Sequence, residues 1–383
     1  MAFIDVSISI VSYNSKNVLK NCIESIIKTT QKIKIEIIIV DNNSEDGSSD
    51  FVKVTFPGVK LIENQENLGF GKAHNQAFKI SKGEYFLILN PDTIIFPHAI
   101  QNMLTFMDSH QHVGVAGCKI YWDDENNFLF PDLRIHSLRS ALFHFTPFCR
   151  YFPNSKIAKG YWKSAYRVWN ANMPIKVEGV TGGIMLVRRE AFISAGLFDE
   201  HFFLFFEEHD LLKRITSAGW EIYYLPDAII QHYFQESCRK SSFDIGIVYM
   251  QSALYYYKKH FGITGYYFLK FLIKINKIMR LLESHLRTIN ANLHNKYLIV
   301  YPENGAITLH WPSQTGSLKY LIEISYSPDF CDRGGMYVKD ESISLNSDIL
   351  NRLPNKTGFI RIIPVYSDNS PGKVLKVIKI TSH

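Results

Sequence analysis

Polar residues follow a buried strand at one point where this sequence could bind a ligand. Tyr85–Leu89 is a continuous apolar run, and Asn90, Pro91 and Asp92 come directly after it. Such a run is typical of a strand that is buried on both faces. Pro91 cannot donate to a sheet ladder, so the strand must end there, and Asp92 stands at its carboxyl end. Ligands bind at that edge of open α/β sheets, although the segment alone also fits a strand followed by an Asx turn.

Two other predicted strands end in groups that could reach the same edge. The predicted strand Ile35–Val40, apolar except for Glu36, ends at Asp41, and the run Ala228–Gln231 is closed by His232. Asp41 also fits a turn or helix-capping aspartate, and His232 fits a core histidine at a strand end. A further acidic run, Glu207–Asp210, precedes a predicted helix, where carboxylates also stabilise the helix dipole.

The elements that would position these groups alternate between strands and helices over residues 1–255. This alternation predicts βαβ units, right-handed crossovers and a mostly parallel sheet. The pair Gly182-Gly183 lies inside the predicted segment Val177–Val187 and indicates a bulge or a close approach by a ligand. The aromatic run Phe202–Phe206 is expected to be a strand. The other predicted strands and helices are Val6–Val11, Val59–Ile62, Val113–Ile120, Trp220–Leu225, a helix over Lys72–Ile80 and a helix beginning at Pro97.

The rest of the chain is predicted to be a helical segment followed by an all-β module. Tyr249–Leu286 is basic and apolar by turns, which fits an amphipathic helix at a membrane surface and equally a helix packed on its own domain. Asn290–Lys296 is polar and predicted to be a linker. The segments after it alternate between turns, which predicts a small sandwich. The predicted parts are therefore 1–255, an α/β domain; 256–296, the basic helix and linker; and 297–383, the sandwich.

Composition limits the class of protein and its compartment. The chain of 383 residues implies two or three domains, and 46% hydrophobic with 20% charged residues is ordinary globular composition. A net charge of +6 suits anionic ligands or an anionic membrane surface without requiring nucleic acid. The five cysteines include no Cys-x-x-Cys pair, which favours a reducing compartment over a disulfide or zinc framework. We expect no signal peptide, because Asp5 interrupts the first residues, and no stretch nears the ~20 apolar residues that span a bilayer.

Several motifs in the first 255 residues resemble those of family 2 glycosyltransferases with the GT-A fold, and among these the bacterial rhamnosyltransferase-like group. The similar segments, in order, are Ser9–Asn14, Ile39–Gly47, Asn67–Gly71, Leu89–Thr93, Phe198–Glu200, Phe205–Asp210 and His232. Because the matches are ordered and reasonably spaced, they are more specific together than any one alone. Residues 298–383 resemble, more loosely, a fibronectin type III module. The resemblance implies a Rossmann-like GT-A domain followed by a small β-sandwich.

The resemblance also implies which residues would bind a nucleotide sugar. Asp41 would accept a hydrogen bond from the N3–H of uracil or thymine and would not distinguish the two bases. Ser12 and Asn14, at the end of the first strand, would flank the same base. Asn67 and Gly69 would line the ribose and diphosphate, with Gly69 letting the backbone come close.

The resemblance assigns the chemistry to a metal site and a general base. Asp92, with His232, would hold a divalent cation, Mn²⁺ or Mg²⁺, that neutralises the departing diphosphate. Asn90 takes the first place of the family's Asp-x-Asp motif on the nucleotide-sugar side. It is a poorer ligand than Asp, so a metal-independent enzyme is also open. Glu208 corresponds to the family's catalytic base, usually an Asp, and Asp210 is the alternative because Glu is one methylene longer.

These motifs predict an inverting glycosyltransferase of cell-surface polysaccharide synthesis. Its donor would be a dTDP- or UDP-linked sugar, expected to be rhamnose, and its acceptor a hydroxyl of a glycan or lipid-linked glycan. It would be cytoplasmic, with peripheral association at the inner face of the cell membrane. A non-catalytic nucleotide- or glycan-binding protein on the same fold is the alternative that Asn90 and Glu208 leave open. A dinucleotide oxidoreductase is disfavoured, because Ser12-Tyr13-Asn14 stands where its glycine fingerprint would follow the first strand.

Overall fold

The chain folds into two compact units. The computed structural model describes residues 4–130, 135–146, 148, 166–233, 244–289, 298–325, 333–366 and 372–382. Unit 1 comprises Met1–Tyr121, Asp132–His136 and Asn170–Tyr266, and unit 2 comprises Trp122–Pro131, Ser137–Trp169 and Tyr267–His383. Unit 1 thus continues past residue 255 into the segment that we predicted as a separate helix. The predicted linker Asn290–Lys296 lies outside the described residues.

Strands and helices alternate along unit 1. Its strands are β1 (Val6–Ser12), β2 (Ile35–Asp41), β3 (Lys60–Glu63), β4 (Tyr85–Leu89), β5 (Thr93–Ile95), β6 (Val113–Tyr121), β7 (Ile175–Lys176), β8 (Ile184–Arg188) and β9 (Glu221–His232). The described helices of the chain are α1 (Lys16–Thr29), α2 (Ser48–Thr55), α3 (Phe70–Ile80), α4 (Ala99–Ser109), α5 (Leu138–His144), α6 (Arg189–Ser194), α7 (Glu207–Ser217) and α8 (Ile245–Ile289). Of these, α5 belongs to unit 2, and α8 has residues in both units.

The sheet of unit 1 has the order β3-β2-β1-β4-β8-β6-β9-β5, with β7 paired to β9. β1 pairs in parallel with β2 and β4, β2 with β3, and β6 with β9, so that most of its paired residues lie in parallel pairs. Strand β4 and strand β8, which is apolar except for Arg188, are buried at every residue, as expected for strands covered by helices on both faces. The predicted α/β fold class with a mostly parallel sheet is therefore confirmed.

Four local predictions for unit 1 were wrong, of which the aromatic run Phe202–Phe206 is described in the next paragraph. Gly182 and Gly183 lie in a turn before β8, because the strand begins only at Ile184. The two short strands predicted before His232 form one strand, β9, whose pairing with β6 shifts register around Pro226, a residue that cannot donate to the ladder. Helix α4 begins after Pro97, at Ala99.

The aromatic run Phe202–Phe206 is a turn and not the strand that its composition predicted. Phe205 and Phe206 have φ values of 68° and 70°, in the left-handed region, and Phe206 directly precedes α7. Phe202 and Phe206 are nevertheless buried. Burial of the rings in the tertiary structure has therefore overridden the strand propensity of aromatic residues.

Unit 2 is built around two β-sheets that share one core. Its strands are β10 (Leu298–Val300), β11 (Ala306–His310), β12 (Lys319–Ser325), β13 (Arg333–Val338), β14 (Ser342–Asn346), β15 (Thr357–Val365) and β16 (Lys376–Thr381). One sheet has the order β10-β16-β15-β12-β13, and β11 pairs with β14 in the other. Ile307 of β11, Ile322 of β12 and Phe128 pack in the same buried cluster. A C-terminal β-sheet region is therefore confirmed, while its likeness to fibronectin type III stays a prediction.

Candidate active site

Asp92 and His232 are brought together by the pairing of two strands. In the antiparallel pair β5–β9, Thr93 lies opposite His232, so the residue before Thr93 reaches the same end. Nε2 of His232 lies 3.0 Å from Oδ1 of Asp92, and both side chains are buried. Nδ2 of Asn90 lies 3.2 Å from the same Nε2. One oxygen donor and one nitrogen donor thus face each other at the carboxyl end of β4, with an amide beside them.

The turn Gly182-Gly183 separates this pair from Glu208. The N–H of Asn90 donates to the carbonyl of Gly183 at 2.9 Å, which holds the turn against the end of β4. A Cβ on Gly183 would lie 2.7 Å from Cε1 of His232, and a Cβ on Gly182 would lie 3.4 Å from Cβ of Glu208. The His232 ring and the Glu208 side chain therefore lie against adjacent glycines. The missing side chains let both groups come close to one stretch of backbone.

Glu208 and its neighbour Glu207 are acids in a poorly solvated place. Oε2 of each is buried and has no hydrogen-bond partner among the described residues. Burial raises the pKa of Glu208. Burial, and after it the negative charge of Glu208, raises the pKa of Glu207 well above its usual range. An uncommitted carboxyl oxygen with a raised pKa is suited to proton transfer.

Asp210, the alternative base, is fully engaged in ion pairs. Its Oδ2 accepts from Nη2 of Arg214 at 2.7 Å, and its Oδ1 lies 2.7 Å from both Nζ of Lys259 and Nε2 of His260. Burial alone would raise the pKa of Asp210, but the hydrogen bonds from His260, Lys259 and Arg214 outweigh it and lower that pKa. Both carboxylate oxygens of Asp210, at the start of α7, therefore already have partners within the protein.

Helix α8 supplies contacts beside the site that sequence reasoning missed. Nζ of Lys259 lies 2.7 Å from Asp199 as well as from Asp210, and the hydroxyl of Tyr255 donates to Asp199 at 2.9 Å. One lysine thus joins the segments on both sides of the aromatic turn that leads to Glu208. The signal in the sequence is the group of polar residues around Lys259. It lies inside the helix Tyr249–Leu286, whose pattern by itself fits a membrane face or packing on its own domain.

The residues predicted to bind the base meet at the ends of β1 and β2. Ser12 lies opposite Asp41 in the parallel register of these strands. Oδ2 of Asp41 accepts from the N–H of Ser44 at 2.9 Å, and Oδ1 accepts from its hydroxyl at 2.7 Å. Oδ1 of Asn14 accepts from the N–H of Glu45 at 2.8 Å. Since β1 lies between β2 and β4, these groups share the edge of the sheet on which Asp92 lies.

The loop that contains Asn67 and Gly69 is hydrogen-bonded to the segment after β2 and to the segment before α7. Oδ1 of Asn67 accepts from the N–H of Gly69 at 2.9 Å, and Nδ2 of Asn42 donates to the carbonyl of Gly69 at 3.0 Å. Gly69 has φ 83°, and a Cβ there would overlap the carbonyl of Phe203. The N–H of Phe70 donates to that same carbonyl at 2.9 Å. Glycine at this position is therefore required by a neighbouring piece of backbone as well as by its own conformation.

Residues 7–194 of this sequence match the model of Glycosyl transferase family 2. The protein is a glycosyltransferase. The matched residues include the two strand ends with Asp41 and Asp92 and the glycine turn before β8. Glu208 and His232 lie beyond the matched range.

Two bacterial relatives of this glycosyltransferase have names that include a sugar linked through diphosphate to a prenol. N-acetylglucosaminyl-diphospho-decaprenol L-rhamnosyltransferase of Mycobacterium tuberculosis is 28% identical over 238 residues, which are 58% of this chain and 74% of the relative. UDP-Glc:alpha-D-GlcNAc-diphosphoundecaprenol beta-1,3-glucosyltransferase WfaP of Escherichia coli is 31% identical over 137 residues, which are 36% of this chain and 51% of the relative. The crystal structure of S. aureus TarS 1-349 aligns with 67% of this chain and 74% of that chain at 16% identity and a TM-score of 0.41.

Proposed function

We propose that the enzyme transfers a sugar, with inversion, from a dTDP- or UDP-linked donor to a hydroxyl of a lipid-linked glycan in cell-surface polysaccharide synthesis. The observation that carries the proposal is the closeness of the Asp92–His232 pair to Glu208 across Gly182-Gly183. A group that could hold a cation and a group that could take a proton then face one reaction centre. The names of the mycobacterial and E. coli relatives support a diphosphate-linked lipid acceptor, and the first supports rhamnose as the sugar.

The donor would lie along the ends of β2, β1 and β4. Asp41 would accept from the N3–H of the pyrimidine, with Ser12 and Asn14 on either side of the base. Asn67 and Gly69 would line the ribose and diphosphate through their loop. This assignment is supported by the shared edge of these strands, since ligands of open α/β sheets bind outside the carboxyl ends.

Asp92 and His232 are suited to hold a divalent cation together with the diphosphate. Among the described residues no group of three or more His, Cys, Asp or Glu side chains surrounds a common point, so the protein itself offers this pair and the amide of Asn90. An aspartate with an imidazole is a donor set that favours Mn²⁺ over Mg²⁺. When bound, the cation would neutralise the negative charge that develops on the departing nucleoside diphosphate.

Glu208 is the proposed general base. The acceptor hydroxyl must lose a proton as its oxygen attacks the anomeric carbon, and one carboxylate is enough for a single direct displacement, which inverts that carbon. Oε2 of Glu208 has no protein partner among the described residues, whereas Asp210 contacts Arg214, Lys259 and His260. The structure therefore favours Glu208 over Asp210. The buried setting that raises the pKa of Glu208 would also make it a stronger base once it is ionised.

The proposed function is tested by measuring sugar transfer directly. Purified enzyme with Mn²⁺ is offered dTDP-rhamnose, UDP-glucose and UDP-N-acetylglucosamine, each with N-acetylglucosaminyl diphosphate on a short prenol. We expect transfer from one donor, and a product anomer opposite to that of the donor by NMR. Retention of configuration would contradict the single-base mechanism. Donor binding by thermal shift, without transfer to this acceptor or to water, would instead support the non-catalytic alternative. Because the acceptor is proposed to be membrane-bound, we also place the enzyme at the inner face of the membrane.

A further inference from the structure

The second half of α8, within unit 2, carries apolar side chains on two sides. Leu269 and Leu272 are buried. Phe271, Ile278 and Leu282 have 59%, 47% and 58% of their surface exposed. Exposed large apolar residues are unremarkable when they are scattered, but a contiguous set indicates a surface that contacts something.

Three of the exposed residues lie along one line of the helix, and Phe268 and Leu281, also exposed, lie to either side of it. At ~100° per residue, Phe271, Ile278 and Leu282 lie within an arc of about 40°. On the same scale the buried Leu269 and Leu272 point ~80° or more away from that arc. Tyr267, one turn before Phe271, is 62% exposed and extends the same line. We call Tyr267, Phe271, Ile278 and Leu282 the α8 stripe.

Lysines border the stripe on one side. Lys274 and Lys277 are exposed, and neither is within ion-pair distance of a carboxylate among the described residues. On the same angular scale Lys274 lies ~40° and Lys277 ~100° from Ile278, both to the same side of the stripe. Lysines beside an exposed apolar arc match the surface of a bilayer with anionic headgroups, where the rings enter the acyl boundary and the ammonium groups meet phosphates.

We propose that the α8 stripe, with Lys274 and Lys277, is the surface by which this chain binds an anionic lipid bilayer. Among the described residues, no helix is both long and apolar enough to cross a membrane. Because the stripe occupies one arc of α8, the proposed contact is with the surface of the bilayer. The proposal rests on the proposed function only in that a membrane-bound acceptor needs an enzyme at the membrane. The binding itself requires neither donor nor acceptor.

The test uses the full chain and vesicles without any substrate. Co-sedimentation is measured with phosphatidylcholine vesicles and with vesicles that contain about one third phosphatidylglycerol, and we expect binding to the second kind. The double variant Lys274→Gln, Lys277→Gln should bind the anionic vesicles about 30-fold more weakly, since each lysine near such a surface contributes ~1 kcal/mol. The matched control is Lys28→Gln, Lys32→Gln, which removes the same charge from exposed positions of unit 1. Equal weakening by both pairs would overturn the proposal, because it would reduce the effect to net charge.

A second pair tests the apolar part of the stripe. Phe271→Ser with Ile278→Ser should abolish vesicle binding and leave the Tm unchanged, because both side chains are already exposed. Val54→Ser, on an 83% exposed valine of α2, should bind vesicles as the natural chain does. Unchanged binding by the Phe271, Ile278 variant would overturn the proposal. So would a dimer of the natural chain in solution that this variant separates into monomers, since the stripe would then contact a second copy.

Transfer to a water-soluble acceptor separates this proposal from the proposed function. Stripe variants that lose vesicle binding but keep transfer in solution would support the α8 stripe as the membrane-binding surface. Vesicle binding that depends on the stripe, in a chain that transfers no sugar, also supports the surface and contradicts only the transferase mechanism. Sugar transfer by a chain that binds neither kind of vesicle would overturn the proposal of membrane binding and leave the proposed transferase mechanism intact.

Discussion

Nε2 of His232 lies 3.0 Å from Oδ1 of Asp92, although 140 residues separate the two in the chain. The contact depends on the antiparallel register that sets Thr93 opposite His232. It puts a nitrogen ligand and an oxygen ligand at the end of the strand where a diphosphate would lie. The proposed metal site therefore depends on two strands that are distant in sequence and paired at one edge of the sheet.

Substitutions at the two ends of Asn90-Pro91-Asp92 should change Mn²⁺ affinity in opposite directions. Asp92→Asn removes the anionic ligand and should weaken Mn²⁺ binding in the presence of nucleoside diphosphate by about tenfold or more. Asn90→Asp adds a carboxylate beside His232 and should strengthen it. Both are measured by the EPR signal of free Mn²⁺, with the exposed Asp50→Asn as control. Unaltered affinity in both variants would mean that the cation is held elsewhere or not at all.

The adjacent glycines of the turn should respond differently to alanine. A methyl group on Gly183 would lie 2.7 Å from the His232 ring and must displace it, whereas one on Gly182 meets Glu208 at an ordinary contact distance of 3.4 Å. Gly183→Ala should therefore weaken Mn²⁺ binding, and Gly182→Ala should leave it within about twofold, since ~0.4 kcal/mol is a change of that size. The same EPR titration measures the Mn²⁺ affinity of both variants. If Gly182→Ala weakened Mn²⁺ binding more than Gly183→Ala does, the arrangement of the turn proposed for this site would be wrong.

Glu208→Gln should block transfer while leaving the donor bound. The amide fills the same space but cannot take the proton of the acceptor, and the loss of a general base costs ~10²- to 10⁴-fold in kcat. Donor Kd is measured by calorimetry and kcat by product formation. Glu190→Gln, at an exposed position of α6, serves as the control. Near-normal kcat in the Glu208 variant would exclude this residue as the base.

The pH profile of kcat should show the raised pKa of Glu208. A general base acts when it is ionised, so the rate should fall as pH decreases through that pKa. Because burial raises the pKa of Glu208, the fall should be centred above the ordinary glutamate value of ~4.3. The residual rate of Glu208→Gln should lack this acidic limb. A limb centred at the ordinary value would indicate that the carboxylate is solvated during turnover.

Lys259→Met should destabilise the segment that leads to Glu208. Nζ of Lys259 lies 2.7 Å from Asp199 and from Asp210, so its loss leaves two carboxylates each short of a charged partner. We expect a loss of ~1–3 kcal/mol in the free energy of unfolding, measured by urea denaturation. Lys259→Arg keeps the charge and should recover most of it, whereas Lys258→Met is a neighbouring change outside these contacts. Equal stability of Lys259→Met and Lys258→Met would show that the two ion pairs contribute nothing.

Patterns within short segments were enough to predict the type of most elements and the ends at which polar residues stand. The apolar run before Asn90-Pro91-Asp92 became β4, and the segment before Asp41, apolar from Ile37 to Val40, became β2, because burial on both faces requires apolar residues. The motif order also predicted the glycosyltransferase class, since its residues recur in sequence at characteristic strand ends. None of this required knowledge of which strand lies beside which.

The tertiary structure decided every relationship that depends on distant segments. The contact between Asp92 and His232 follows from the register of β5 on β9, and the glycine at position 69 is explained by the carbonyl of Phe203. The contacts that Lys259 and His260 of α8 make with Asp210 are likewise absent from any local pattern. Local sequence determines which face of an element is apolar, because periodicity is a property of a few neighbouring residues. Pairing and docking are selected by the free energy of the whole chain, so the partners of each side chain emerge only in the folded molecule.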